Sequence, residues 1–160
     1  MAKSIEKQVI ALSKQLLARE WKLVTAESCT GGGLAYHLTN VPGSSDWFER
    51  GFVTYSNAAK EEMLGVRSAT LKTFGAVSEE TAREMAAGAL KNSAAQCSVA
   101  ITGIAGPLGG SAEKPVGTVW FAWGFPTETI LAERRLFSGD RGEIREQAIR
   151  VALEGLRSFP

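Results

Sequence analysis

The chain has 160 residues, 44% of them hydrophobic, and its 18 basic and 17 acidic side chains leave a net charge of +1. That length suits one domain with a sizeable core, so residues 1–160 are read as a single unit without repeat or linker. The unclustered charge argues against a nucleic-acid partner, no apolar run nears the roughly 20 residues of a membrane span, and two isolated cysteines make neither a disulfide framework nor a metal site.

The first residues, Met1-Ala2-Lys3-Ser4-Ile5-Glu6-Lys7, read as the start of an amphipathic helix and not as a signal peptide. A cytoplasmic, reduced protein is the expectation. Residues 3–19 are expected to be helical, since Ile5, Val9, Leu12 and Leu16 share one face. Residues 22–26 read as a short buried strand. The polar, glycine-rich stretch 25–33 follows it and opens a helix to about Thr39. Residues 41–45 are a loop by composition, and Asp46-Trp47-Phe48 is a short amphipathic piece. Residues 51–55 read as the second strand. Ser56 or Asn57 can cap the helix after it, which carries Lys60, Met63 and Leu64 and stops at Gly65. Residues 68–74 suit one or two helical turns. Ser78, followed by Glu79 and Glu80, caps a helix to about Ala94 that buries Ala82, Met85, Ala86, Ala89 and Leu90.

Residues 97–102 are the third strand, and a second glycine-rich loop covers 103–111. Residues 116–124 and 129–137 are two strands too close for a crossover helix, hence an antiparallel hairpin. Its aromatic residues, Trp120, Phe121, Trp123 and Phe125, suit either the core or a subunit interface, and a homo-oligomer, a dimer first of all, is the expectation. After a turn at Gly139-Asp140-Arg141, the last helix spans about 142–157 and buries Ile144, Ala148, Val151, Ala152 and Leu156. Early strands alternating with helices, then a hairpin, imply an α/β fold: a three-layer α/β/α sandwich with a mostly parallel, mixed sheet.

In such sheets ligands bind beyond the C-terminal strand ends. Three polar stretches follow the first three strands, at 28–33, 55–60 and 102–111, and converge on one edge. Ser28 is a candidate nucleophile there. The only histidine, His37, lies nine positions further on along the following helix, too far to reach the Ser28 hydroxyl. Lys60 or Tyr55 is left as base, and a lysine serves only if its pKa falls. Tyr55 can relay the proton or position Lys60. Cys29 is a rival nucleophile, at a helix start that lowers a thiol pKa. The helix start is also expected to favour anions, and its three glycines, from Gly31, admit a ligand close to the backbone. Glu27 either caps the helix or bonds a substrate hydroxyl. Thr102 either closes the polar wall or simply ends its strand. Lys114 and Arg141 are loop cations able to hold a phosphate. No metal or cofactor site is indicated.

Six blocks then carry a resemblance along nearly the whole chain: residues 26–32 (Ala-Glu-Ser-Cys-Thr-Gly-Gly), 43–57, 75–79, 102–107, 114–119 and 137–141. Together they are similar to the CinA C-terminal domain family, whose stand-alone members are nicotinamide-nucleotide amidases. The resemblance implies hydrolysis of nicotinamide mononucleotide (NMN) to nicotinate mononucleotide and ammonia, in pyridine-nucleotide salvage, without metal or cofactor. It implies Ser28 as nucleophile assisted by Lys60 and Tyr55. It further implies Glu27, Cys29, Thr30, Gly31, Thr102, Gly103 and Gly106 around the substrate, with Arg141 at the phosphate. The lack of the N-terminal domain of longer members favours a stand-alone enzyme. In place of the family's Gly-Pro-Asp-Gly-Gly this chain has Gly106-Pro107-Leu108-Gly109-Gly110. The missing carboxylate leaves open a paralogue that binds NMN or a related nucleotide with weakened or lost turnover.

Overall fold

The computed structural model describes residues 4–159. The elements run α1 (Ile5–Arg19), β1 (Leu23–Glu27), α2 (Gly33–Thr39), β2 (Phe48–Val53), α3 (Asn57–Leu64), α4 (Ser68–Phe74), α5 (Glu79–Lys91), β3 (Cys97–Gly103), β4 (Thr118–Phe125), β5 (Thr129–Leu136) and α6 (Arg141–Arg157). Short 3-10 turns occupy Ser44–Asp46 and Pro126–Glu128. The helix expectation for residues 1–3 lies outside the described residues.

The sheet order is β2-β1-β3-β4-β5. β2, β1 and β3 are parallel neighbours, while β4 is antiparallel to both β3 and β5. Only β4 therefore runs against the rest, which is the mixed sheet that the strand–helix alternation implies. Side chains alternate between two cores. Leu23, Val99, Ile101, Phe121 and Trp123 face one side, packed with α1, α2 and α6. Val24, Ala26, Ala100 and Ala122 face the other, against α3, α4 and α5. Alanines on this second face meet Ala82, Ala86 and Ala89 of α5, so helix and sheet approach closely. Phe121, Trp123 and Phe125 are buried inside this chain, which gives those aromatics to the core. Trp123 also donates to the carbonyl of Ala152 at 3.0 Å.

Most element ends follow their caps. The Ser56 hydroxyl accepts from Ala59, Ser78 from Thr81, and Asp140 forms a reciprocal capping box with Glu143. The last of these starts α6 at Arg141, so that residue belongs to a helix rather than a turn. Gly65 ends α3 with φ +70°, the left-handed conformation that glycine adopts without a Cβ penalty. The second strand differs from expectation. It occupies Phe48–Val53 instead of 51–55, because Leu23 and Glu27 of β1 pair with Phe48 and Val53. Phe48, read as part of a separate amphipathic piece, opens that strand. α5 stops at Lys91, three residues short of Ala94, and leaves Leu90 half-buried.

Candidate active site

The parallel register sets the site. Glu27, the last residue of β1, pairs with Val53 on one side and Ile101 on the other. Ser28, Thr54 and Thr102 therefore stand side by side at the C-terminal ends of β1, β2 and β3, the shared edge that the sequence implies. Between them opens a pocket of about 230 Å³ lined by Ser28, Tyr55, Lys60, Thr102, Gly103 and Arg141, with Cys29, Asn57, Ala76, Val77 and Ala105 completing the wall.

Lys60 lies at its floor. The side chain runs back from α3 and is only 1% exposed. Its Nζ is 3.0 Å from the Ser28 Oγ, 3.0 Å from the carbonyl of Thr54 and 3.3 Å from the carbonyl of Tyr55. No carboxylate pairs with it among the described residues. Burial holds its pKa below the ordinary lysine value, because the cation loses solvation that two carbonyl dipoles only partly replace. The neighbour set has a direct consequence. A neutral amine offers two N–H donors and one lone pair. Carbonyls can only accept, so they take the two N–H bonds, and the lone pair is left to face the one partner able to donate, the Ser28 hydroxyl. The protonated form has three donors for the same three oxygens. Both protonation states are thus satisfied.

The turn around Ser28 is held from below. Glu27 is fully buried, and its Oε1 accepts from the Thr30 hydroxyl at 2.6 Å and the Leu34 amide at 2.9 Å, while Oε2 accepts from the Ala35 amide at 3.0 Å. The amide of Gly33 goes to Thr30 and that of Tyr36 to Gly32. The start of α2, expected to favour an anion from outside, is therefore already occupied by a carboxylate of the chain itself. Of the two readings of Glu27, this geometry is the helix-capping one. Thr30 is buried by the same contact, and Gly31 bends the turn with φ +58°.

Cys29 departs from the rival-nucleophile reading. Its thiol is buried in the first core, and burial pushes its pKa up to about 11 instead of down. Desolvation outweighs what the helix start supplies. Tyr55 is 61% exposed at the rim. Its carbonyl holds Lys60, but its hydroxyl accepts from Arg141 Nη2 at 3.1 Å rather than reaching the lysine. Arg141 Nη1 donates to the carbonyl of Gly106 at 2.7 Å. Arg141 thus ties the β2–α3 connection to the second glycine loop across the pocket mouth. Lys114 is drawn elsewhere, to the carbonyl of Phe74 at 2.6 Å. The Thr102 hydroxyl donates to the carbonyl of Ala76 at 2.8 Å, which leaves its lone pairs for the pocket. Leu108 is 85% exposed, so the loop folds without using a side chain at that position.

One contact was not anticipated from sequence. Arg145 donates to the carbonyls of Cys29 and Thr30 at 3.1 and 3.2 Å. Its signal was present as a second arginine four residues after Arg141, on the same face of α6. Among the described residues no group of three or more His, Cys, Asp or Glu is placed to hold a metal ion, and no helix is long and apolar enough to cross a membrane.

The chain is similar to known proteins along nearly its whole length. At 54% identity over 155 residues the chain is similar to an Escherichia coli protein named nicotinamide-nucleotide amidohydrolase PncC, covering 94% of each. A protein of the same name from Enterobacter agglomerans is 49% identical over 158 residues, covering 98% of this chain and 96% of the relative. The crystal structure of the competence/damage inducible protein CihA from Agrobacterium tumefaciens matches with a TM-score of 0.94 at 48% identity, over 98% of this chain and 95% of that one. The model of the CinA C-terminal domain matches residues 3–159, and the chain belongs to that family.

Proposed function

We propose that this chain is a nicotinamide-nucleotide amidase that hydrolyses the carboxamide of NMN through an acyl-enzyme on Ser28. The observation that carries the reading is the Lys60 amine, buried without a counter-ion and 3.0 Å from the Ser28 hydroxyl. The names of the relatives supply the substrate. In the first half-reaction the Ser28 oxygen attacks the carboxamide carbon while its proton passes to Lys60. The resulting ammonium then gives that proton to the departing amide nitrogen, and ammonia leaves. In the second, water attacks the ester, Lys60 takes the water's proton and returns it to Ser28, and nicotinate mononucleotide is released. An oxyanion forms in each half. Its donors would be backbone amides of the turn that the turn itself does not consume.

Arg141 is exposed and spends only two of its five N–H donors on Gly106 and Tyr55, which leaves donors for a phosphate. Tyr55 assists from the rim, its carbonyl fixing Lys60 and its hydroxyl fixing Arg141. Gly103 and Gly106 would border the ribose, with Thr102 at the amide. The test is ammonia release from NMN and from a small panel of other nucleotide amides. Wild type should release ammonia, Ser28→Ala should not, and Lys60→Met should lose at least about a thousandfold in kcat/KM. Normal turnover in Ser28→Ala would sink the mechanism. A second reading rests on Leu108, a weakened paralogue that binds NMN without turnover. Its mark would be NMN binding by calorimetry with no ammonia, and turnover regained in Leu108→Asp.

A further inference from the structure

Arg145 takes no part in the steps above, yet it grips the turn that carries them. It stands one helical turn beyond Arg141 on α6. Arg141 reaches into the pocket, whereas Arg145 passes on the other side of the turn. Ser28 and Cys29 line the pocket on one side, while Thr30, Gly33 and Arg145 line a separate groove on the other. The Arg145 Nε and Nη2 hold the carbonyls of Cys29 and Thr30, and the side chain makes no ion pair among the described residues.

A trans peptide unit is planar, and its C=O and N–H point in opposite directions. Drawing the Cys29 carbonyl toward α6 therefore fixes the plane of the Cys29–Thr30 peptide, one residue after Ser28, with the Thr30 amide turned inward and wholly buried. The rest of the turn is closed by its own bonds. Within the turn the Gly31 amide goes to the Ser28 carbonyl at 3.0 Å and the Gly33 amide to the Thr30 carbonyl at 2.9 Å, while the Ser28 amide goes to Ile101 at 2.9 Å. Arg145 clamps this turn from outside, its planar fork holding two successive carbonyls at once.

We propose that Arg145 is a positioning residue that locks the Cys29–Thr30 peptide, and with it the turn that keeps the Ser28 hydroxyl against Lys60. The inference rests on the amidase reading. It predicts a defect in the transition state rather than in NMN binding, because Arg145 touches neither the pocket interior nor Lys60.

The experiment compares wild type, Arg145→Met and Arg145→Lys in steady-state ammonia release from NMN, each with its thermal unfolding curve. Arg145→Met should lose about 10- to 100-fold in kcat through misplacement of Ser28, short of the loss from deleting Ser28 or Lys60, with KM within about threefold. Arg145→Lys should fall in between, since one ammonium cannot hold two carbonyls as the planar fork does. Both should keep the wild-type midpoint of the rising limb of the pH–rate profile. Should Arg145→Met fail to fold, Arg145→Lys decides, with several-fold lower kcat in a folded chain as the expected result. Wild-type kcat in either folded variant would overturn the proposal. So would a loss carried by KM, or one that merely tracks the unfolded fraction. A wild-type chain that binds NMN by calorimetry but releases no ammonia would instead overturn the amidase reading beneath it.

Discussion

Lys60 ties rate and stability to one proton. As the base it must be neutral, so kcat/KM should climb about tenfold per pH unit below its pKa and level off above it. Stability follows the same group. Its folded pKa lies below the ordinary value of 10.5, so between the two the unfolded chain holds a proton that the native chain has shed. Stability from this group is therefore greatest above the unfolded value and is lost as pH falls through that window, by at most about 1.4 kcal/mol per unit. Lys60→Met removes the titration. Urea unfolding of both proteins near neutral pH and about two units higher should show wild type gaining on the variant as pH rises. A constant gap would mean the lysine is not desolvated. Little of this was legible in the local sequence. Lys60 sits in Asn-Ala-Ala-Lys-Glu-Glu-Met-Leu, where spacing alone gives a solvated lysine. It is buried because Thr54 and Tyr55 leave the sheet beside Ser28, a neighbourhood made by strand order. The lack of a reachable histidine and the family resemblance pointed to it; Arg145, with no such block around it, was missed.

At the scale of elements, the turn between β1 and α2 carries Ser28 and α3 carries Lys60, and each is held by one contact that a substitution can break. Glu27 joins β1 to the start of α2 by accepting from three donors. Glutamine in its place has one acceptor oxygen, and its nitrogen must confront an N–H or hydroxyl whichever way it turns. Glu27→Gln should therefore cost about 2–4 kcal/mol in urea unfolding, where a carboxylate that served only substrate would change KM and leave stability alone. α3 is held through Gly88 of α5, where an added Cβ would overlap the Leu64 carbonyl. That neighbour is backbone and cannot swing aside. Gly88→Ala should cost about 1–3 kcal/mol and drive α3 outward, taking Lys60 from Ser28, so kcat should fall more than KM in the fraction that stays folded. Helix ends were readable wherever a cap fixed them, as at Ser56, Ser78 and Asp140. β2 was misplaced, its start by three residues and its end by two, because an edge strand with Arg50, Gly51 and Val53 exposed and Phe48, Glu49 and Phe52 half-buried shows no apolar alternation. Its true bounds come from pairing with β1, which no local pattern reports.

Across the whole molecule the two thiols mark opposite ends of one core. Cys97 pairs with Leu23 where β1 begins, and Cys29 follows Glu27 where β1 ends. Both belong to the layer formed with α1, α2 and α6, and burial pushes their pKa values up to about 12 and about 11. About three units below such a pKa only about one thiol in a thousand is ionised, and that fraction is screened from reagent by packing. Labelling with a thiol reagent under native conditions should therefore wait on opening of this layer. If residues 4–159 unfold as one cooperative unit, Cys29 and Cys97 should label at the same slow rate, with turnover lost only as labelling proceeds. Faster labelling at Cys29 with the fold intact would show that the Ser28 turn opens apart from the core, and the single-unit reading would fall. The rate ratio also bears on the chemistry. A turn that catalyses by holding amides at fixed angles cannot open often, whereas a thiol acting as nucleophile would have to be both exposed and ionised. Equal, slow labelling thus supports a rigid turn around Ser28 and argues against the neighbouring sulfur, through a measurement that needs no substrate.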